Sequence, residues 1–189
     1  MQTLKKQYTL AEYRTLEEAA EERHEYHDGA NVAMTGGTLE HSAISGNIYA
    51  LLKGALRRSC FKPFNSDLRV WVPRYHKGVY PDVSVIEGDV AFTDNRRDEI
   101  LNPTLIVEVL STSTEAYDRG DKFICYRSIP TFSEYLLVSQ YQPWIDHYTK
   151  SENGDWLLRS YGKLTDQLHL ATGGAPLEMA DIYEDVFSL

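Results

Sequence analysis

Cysteine, positive charge and long hydrophobic runs are all scarce in this sequence. Only 2 of the 189 residues are cysteine, Cys60 and Cys125, and their separation does not match the ligand spacing of a zinc site. No apolar run approaches the roughly 18 residues that cross a bilayer, and no apolar stretch follows the N-terminal lysines as it would in a secretory signal. We therefore expect a cytoplasmic protein with reduced thiols and no membrane contact.

The shortage of positive charge restricts how this chain could bind nucleic acid. It has 19 Lys and Arg residues against 28 Asp and Glu residues, a net charge of −9. Binding through bulk charge alone needs clustered basic residues, and the sequence has no such stripe. An enzyme that binds nucleic acid through a divalent cation fits this charge, because metal-binding carboxylates are themselves negative. The candidates for phosphate contacts are Lys53, Arg57, Arg58, Arg69, Arg74, His76, Lys77, Arg96 and Arg97.

The hydrophobic pattern predicts one mixed domain over residues 1–189, since there is no repeat, linker or low-complexity segment. Helical spacing of apolar residues predicts three helices, over 9–22, 40–59 and 114–128. Thr9 and Glu12 form a capping box at the first, and Asp28-Gly29 predicts a two-residue hairpin. Strands are predicted over 64–72, 82–86, 104–110, 134–138, 144–150 and 156–161, and the tail from residue 171 is expected to form a strand or short helix at the edge.

This order of elements is typical of the α/β (α+β) class, with a central mixed β-sheet flanked by helices. A βαβ unit around the third helix would place strand 104–110 parallel to strand 134–139. The strands over 144–150 and 156–161 are expected to continue the sheet as a meander.

Two acids interrupt otherwise apolar strands. Asp82 begins one strand and Glu108 lies near the end of another. A buried ionised carboxylate is costly unless it is paired or bound to a cation. If the two strands are neighbours, both carboxylates and the Val109 carbonyl could bind Mg²⁺ or Mn²⁺. Lys122, one helix later, could hold the attacking water or neutralise charge in the transition state.

A purely structural interpretation of the same residues stays open. An acid at a strand end can be solvated, and Asp82 after Pro81 is a common turn residue. Lys122 could simply pair with Asp118, four residues earlier, on an exposed helix face.

At these residues the sequence resembles a known family. Pro81-Asp82 followed by Glu108-Val109-Leu110 is similar to the PD-(D/E)XK nuclease motif, with Leu110 in the lysine position. The segment 103–138 closely resembles the core of the Uma-two (Uma2) family of bacterial, restriction-endonuclease-like proteins, and the resemblance extends from about residue 8 to 150. The matching residues are Arg23, Glu25, Asp28, Gly29, His41, Glu108 to Ser111, Asp118, Lys122, Tyr126, Pro130 and Glu134-Tyr135.

The resemblance implies a restriction-endonuclease-like fold and Mg²⁺- or Mn²⁺-dependent hydrolysis of phosphodiester bonds in nucleic acid, foremost DNA. Asp82 and Glu108 would be metal ligands, and Lys122 would be the catalytic lysine, migrated into the following helix. Glu25 would join the catalytic site, although it fits a solvated carboxylate in an acidic segment equally well. Related folds often pair to cut two strands, so a homodimer is expected.

Two other functions compete with the nuclease. The first is a non-catalytic, dimeric binding or toxin-associated module on the same fold, whose acids no longer hold metal; the acidic composition favours it. The second is a glycosidase with paired carboxylates, which leaves the apolar strand around Glu108 and the migrated Lys122 unexplained.

Overall fold

The computed structural model describes residues 6–94 and 96–187. Its helices are α1 (Leu10–Ala19), α2 (Leu39–Ala55), α3 (Glu115–Tyr117), α4 (Phe123–Tyr126) and α5 (Met179–Ile182), and a π-helical turn (Asp118–Lys122) joins α3 to α4. Its strands are β1 (His24–His27), β2 (Ala30–Ala33), β3 (Phe61–Asn65), β4 (Arg69–Val72), β5 (Lys77–Val79), β6 (Val83–Glu87), β7 (Glu99–Ile100), β8 (Pro103–Leu110), β9 (Glu134–Ser139), β10 (Ile145–Lys150), β11 (Trp156–Tyr161), β12 (Gln167–His169) and β13 (Pro176–Glu178).

Two mixed sheets carry the fold. The larger has six strands in the order β11-β10-β9-β8-β6-β3, and the smaller has five in the order β2-β1-β5-β4-β7, while β12 and β13 form a separate pair. In the larger sheet β8 is parallel to β9, as the βαβ pattern predicts, and β9, β10 and β11 form the expected antiparallel meander. The predicted mixed sheet flanked by helices is confirmed.

The two faces of the larger sheet pack against different helices. On one face, Ile44 and Ile48 of α2 and Ile182 of α5 pack against a core that contains Val83 and Val107. On the other face, Phe123 and Tyr126 of α4 form a core with Ile106, Tyr135 and residues of β4. This second core fills the space between the two sheets, so the α3–α4 segment lies at their junction.

The local signals at the N-terminal end are confirmed. Thr9 and Glu12 make the reciprocal hydrogen bonds of a capping box at the start of α1. The β1–β2 hairpin turns at Asp28 (φ 44°) and Gly29 (φ 94°), and two positive φ angles are the signature of the type I′ turn that an Asp-Gly pair favours.

The single strand predicted over 64–72 is wrong, because the chain forms two strands there that belong to different sheets. β3 pairs with β6 in the larger sheet, whereas β4 pairs with β5 and β7 in the smaller one. Arg69 of β4 is buried, with 1% of its surface exposed. Its guanidinium donates to Glu99 Oε2 at 2.8 Å and to Asp98 Oδ2 at 3.1 Å, so Arg69 is not a phosphate contact.

Other element bounds differ in smaller ways. The second helix stops at Ala55 rather than at residue 59, and Arg58 just beyond it has a positive φ of 65°. The third predicted helix is interrupted by the π-helical turn. The tail forms both a strand, β13, and a short helix, α5. Both cysteines are free, and within the described ranges no helix is long and apolar enough to span a membrane.

A further strand acid, Glu134, is structural. It is fully buried at the start of β9 and accepts hydrogen bonds at 2.8 Å from the backbone N–H groups of Ala171 and Thr172. Its Oε1 also lies 2.6 Å from His147 Nε2. Burial acts to raise the pKa of Glu134, but the bonds from His147 and Thr172 outweigh it and hold the pKa below its usual value. Glu134 thereby ties the C-terminal segment to the sheet.

We predict that Glu134→Gln lowers the free energy of unfolding by about 1–3 kcal/mol at neutral pH, because an ionised acceptor of buried N–H groups is lost. The native-state pKa is depressed, so this contribution is complete above the unfolded-state pKa and disappears as pH falls through the native-state value. Urea unfolding at neutral pH and near pH 3 measures the difference, which should shrink in acid. The exposed Glu152→Gln is the control; equal stability of both variants at neutral pH would contradict the prediction.

Candidate functional site

One cleft, of about 230 Å³, gathers the residues that the sequence singles out. Its walls are the β1–β2 hairpin and the residues after it, the start of α2, the neighbouring ends of β6 and β8, and the α3–α4 segment. Glu25, Asp82, Glu108, Val109 and Lys122 all line it. The structure therefore brings together every residue of the predicted site, from four separate parts of the chain.

Glu108 enters the cleft from the most buried strand. Its neighbours Val107 and Val109 belong to the core beneath α2, so strand alternation directs Glu108 to the opposite face. Its side chain is 5% exposed, and its Oε1 accepts a hydrogen bond from Tyr126 at 2.8 Å and lies 2.9 Å from Lys122 Nζ. Burial raises the pKa of Glu108 well above its usual value; Lys122 opposes this shift, and the carboxylates of Asp118 and Asp82 add to it.

Asp82 meets β8 from the adjacent strand. β6 and β8 are antiparallel neighbours, with Val83 opposite Val107, so the predicted adjacency is confirmed. Asp82 lies just before β6, and its Oδ2 accepts a hydrogen bond from the Val109 N–H at 2.7 Å. In an extended strand the N–H and C=O of one residue point to the same side, so the Val109 carbonyl also faces Asp82.

Lys122 reaches these acids from the π-helical turn. Its Nζ lies 2.9 Å from Glu108, 3.3 Å from Asp118 and 3.8 Å from Glu25. Burial acts to lower the pKa of Lys122, but these carboxylates outweigh it and raise the pKa well above its usual value. The pairing with Asp118 exists, but the exposed helix face of the structural interpretation is wrong, because both side chains are buried. Leu110, in the motif's lysine position, packs in the apolar core.

Glu25 comes from the hairpin of the smaller sheet. It is 8% exposed, which rules out the solvated carboxylate that the acidic segment also suggested. His27 Nε2 lies 2.8 Å from its Oε2, and the Tyr80 N–H donates to Oε1 at 3.3 Å. Burial acts to raise the pKa of Glu25, but Lys122 and His27 outweigh it and lower the pKa. Glu25 is therefore an ionised group at the junction of the two sheets.

Three further side chains of the cleft region were not in the predicted site. Asp118 and Tyr126 contact Lys122 and Glu108, and the spacing of Asp118, Lys122 and Tyr126 by four residues was a usable signal for one shared helix face. The third is His41, whose Nε2 lies 3.3 Å from Asp82 Oδ2. This contact raises the pKa of His41, burial opposes the shift, and Asp118 and the Val109 carbonyl support it.

The charge in the cleft fits a divalent cation. Glu25, Asp82, Glu108 and Asp118 face a single ammonium, that of Lys122. Asp118 Oδ1 is buried and lies 3.3 Å from Lys122 Nζ, but it accepts no well-aligned hydrogen bond from the described residues. Over residues 6–94 and 96–187, no three His, Cys, Asp or Glu side chains are placed so that together they could hold a metal ion. By chemical type, the carboxylate oxygens of the cleft are ligands that Mg²⁺ and Mn²⁺ accept.

Comparison with known proteins identifies the family of this chain. Residues 10–180 match the Uma2 family, which is described as "Putative restriction endonuclease". The chain belongs to the Uma2 family. Two relatives from Synechocystis are described only as uncharacterized: slr1290 is 41% identical over 177 residues, with 91% of this chain and 89% of the relative covered, and sll1609 is 39% identical over 150 residues, with 79% and 85% covered.

A solved structure shows the same fold in a distant sequence. It is a protein of Anabaena variabilis described as "a putative nuclease belonging to DUF820". Its TM-score to this chain is 0.75 at 17% sequence identity, with 95% of this chain and 99% of that one covered. This Uma2 protein therefore has the restriction-endonuclease-like fold that its sequence pattern implies, over nearly the whole chain.

We predict that Lys122→Met lowers the free energy of unfolding by about 3 kcal/mol or more without metal, because buried carboxylates lose the ammonium that offsets their charge. Urea unfolding followed by tryptophan fluorescence, in buffer with a chelator, measures the loss. The exposed Lys163→Met removes an equal charge elsewhere and should change stability little. Wild-type stability of Lys122→Met would mean that the cleft carboxylates are neutral in the free protein.

Proposed function

We propose that this Uma2 protein is a metal-dependent endonuclease that hydrolyses phosphodiester bonds in DNA with Mg²⁺ or Mn²⁺. The observation that carries the proposal is the convergence of Asp82 and Glu108, from neighbouring strands, on one cleft that also holds Lys122. DNA is the proposed substrate because the family description names a restriction endonuclease, and restriction endonucleases act on DNA.

The charges in the cleft support the binding of a divalent cation. Four acidic side chains share one ammonium in the cleft, and repulsion from Asp118 and Asp82 is part of what raises the pKa of Glu108. A divalent cation on Asp82, Glu108 and the Val109 carbonyl would offset this repulsion and allow a phosphate to approach. When bound, such an ion supplies Lewis-acid chemistry: it polarises a phosphoryl oxygen and lowers the pKa of a bound water.

The protein's own groups have separate tasks in this proposal. Asp82 and Glu108 would hold the cation at the strand ends, and the Val109 N–H keeps the Asp82 carboxylate oriented. The Lys122 ammonium is a fixed positive charge. It can donate a hydrogen bond to a non-bridging phosphate oxygen or to the attacking water. Glu25 is ionised, is held by His27 and the Tyr80 N–H, and can accept a hydrogen bond from that water.

The proposal includes a homodimer, since two sites are needed to cut both strands of a duplex in one event. Light scattering of the purified protein gives its mass in solution, and the ratio of nicked to linear plasmid during the reaction reports whether two cuts are coupled.

We predict that Asp82→Asn and Glu108→Gln each reduce Mn²⁺-dependent plasmid cleavage by roughly 10³-fold or more, because the cation contributes several kcal/mol to the transition state. Both replacements keep the size of the side chain, and Asn at position 82 can still accept from the Val109 N–H. A nicking assay on supercoiled DNA, with single-stranded DNA and RNA in parallel, measures the rates.

Asp89→Asn and Glu87→Gln are matched controls, because both acids are exposed and lie at the other end of β6. They should cleave at the wild-type rate. Undiminished nicking by Glu108→Gln would remove that carboxylate from the mechanism.

We predict that Lys122→Gln lowers the turnover number by roughly 10²–10³-fold with little effect on Mn²⁺ affinity, because the ammonium acts on the transition state rather than on the metal. Single-turnover cleavage and calorimetric Mn²⁺ titration separate the two quantities, at a temperature where circular dichroism shows the variant folded. Full turnover by this variant would exclude Lys122 as a catalytic group.

The same titration distinguishes the nuclease from a non-catalytic binding module. A nuclease should show saturable Mn²⁺ binding that Asp82→Asn abolishes. A module with a decayed site should show none, and its acidic cleft would then be only structural.

A further inference from the structure

One imidazole lies directly beside the proposed metal ligands. His41 is in the first turn of α2, and its Nε2 is 3.3 Å from Asp82 Oδ2. That oxygen is the one that accepts from the Val109 N–H. The roles proposed for the cleft residues do not involve His41, although its ring lines the same cleft as the four acids.

The local structure fixes the position of this ring. Thr38 caps α2, and its Oγ1 accepts a hydrogen bond from the His41 N–H at 3.2 Å, so His41 sits at a defined place in the first turn. A Cβ added to Gly37 would lie 2.9 Å from His41 Nδ1, closer than such atoms pack. Glycine at position 37 therefore leaves room for the ring in the orientation that brings Nε2 to Asp82.

The distance between His41 and Asp82 matches that between adjacent ligands of one ion. Two ligands at about 2.1 Å in octahedral coordination lie about 3 Å apart. His41 Nε2 and Asp82 Oδ2 are 3.3 Å apart. They meet where β6 begins and β8 ends, and the Val109 carbonyl points to the same place. The contacts of Glu108 with Tyr126 and Lys122 are both to Oε1, so its Oε2 is the oxygen for the cation. His41 is the side chain that lies directly beside Asp82.

We propose that His41 binds the divalent cation through Nε2, next to Asp82, and that the site therefore prefers Mn²⁺ over Mg²⁺. This inference rests on the proposed function, because it assigns a further ligand and a metal preference to the same site. Mg²⁺ strongly prefers oxygen ligands, whereas imidazole suits transition metals, which also bind more tightly to mixed nitrogen and oxygen donors.

A different role for His41, as a hydrogen-bond donor that only orients Asp82, makes other predictions. In that role the ring would not contact the ion, and removing the ring would weaken the binding of Mn²⁺ and of Mg²⁺ by similar factors. A direct ligand instead leaves a nitrogen signature on the ion and affects the two metals unequally.

Pulsed electron paramagnetic resonance of the full-length protein loaded with Mn²⁺ tests the contact without any variant. Nitrogen hyperfine coupling of a bound imidazole is expected in the wild type, and it should change when the protein is grown with isotope-labelled histidine. Calorimetry of Mn²⁺ and Mg²⁺ binding gives the preference, which we expect to be at least about tenfold for Mn²⁺.

The variants then assign the nitrogen. His41→Gln should lose the coupling and weaken Mn²⁺ by about 10–100-fold, with a change in Mg²⁺ affinity of less than about threefold. His41→Asp should keep Mn²⁺ binding but reduce the preference over Mg²⁺, because it exchanges nitrogen for oxygen. His169→Gln, an exposed histidine on β12, is the control and should behave as wild type.

The outcomes separate the two proposals. Saturable Mn²⁺ binding without nitrogen coupling in the wild type would overturn the role of His41 and leave the nuclease proposal intact. Coupling that persists in His41→Gln would also overturn it, since another imidazole, such as that of His27, would be the source. Absence of any saturable Mn²⁺ binding to the wild type would refute the metal-dependent function itself, and this inference with it.

Discussion

A single buried ammonium group holds the candidate site together. Lys122 contacts carboxylates from three separate parts of the chain: Glu108 from β8, Glu25 from the β1–β2 hairpin and Asp118 from its own helical segment. These elements belong to both sheets and to the segment between them, so the ion pairs lie where the main parts of the fold meet. Because burying each of these charges alone would be costly, the fold and the electrostatics of the cleft depend on each other.

Much of the fold could be predicted from local sequence. The apolar run of β8, the Asp28-Gly29 turn and the capping box of Thr9 each involve neighbouring residues, and each is confirmed. The region 64–72 could not be predicted in this way. Arg69 looks like a solvated residue of an alternating strand, but contacts that include Glu99 and Tyr13, far away in sequence, bury it. Local pattern cannot reveal a partner that lies 30 or more residues away.

The residues of the site also divide into those that local sequence predicts and those that depend on distant parts of the chain. Asp82 and Glu108 stand out because an acid in an apolar strand needs a physical reason, and Lys122 follows from its place one helix later. Family resemblance adds Glu25. The sequence leaves Glu25 undecided, since a group that binds its carboxylate, the Tyr80 N–H, lies 55 residues along the chain. His41 carried no local signal for a role at Asp82. Its position depends on how α2 packs against the larger sheet, which no spacing within the helix encodes.

The π-helical turn at Asp118–Lys122 has a consequence for which mutations this segment can accept. A wider turn accommodates one more residue than an ordinary helix, so the extra residue is absorbed locally and the helix on either side keeps its phase. Deleting Gly120 would restore regular winding and place Lys122 three residues after Asp118, which is still the same helix face. Lys122 and Tyr126 would keep their spacing of four residues. The segment can therefore lose one residue at this turn with less disturbance of the cleft than an ordinary helix would suffer.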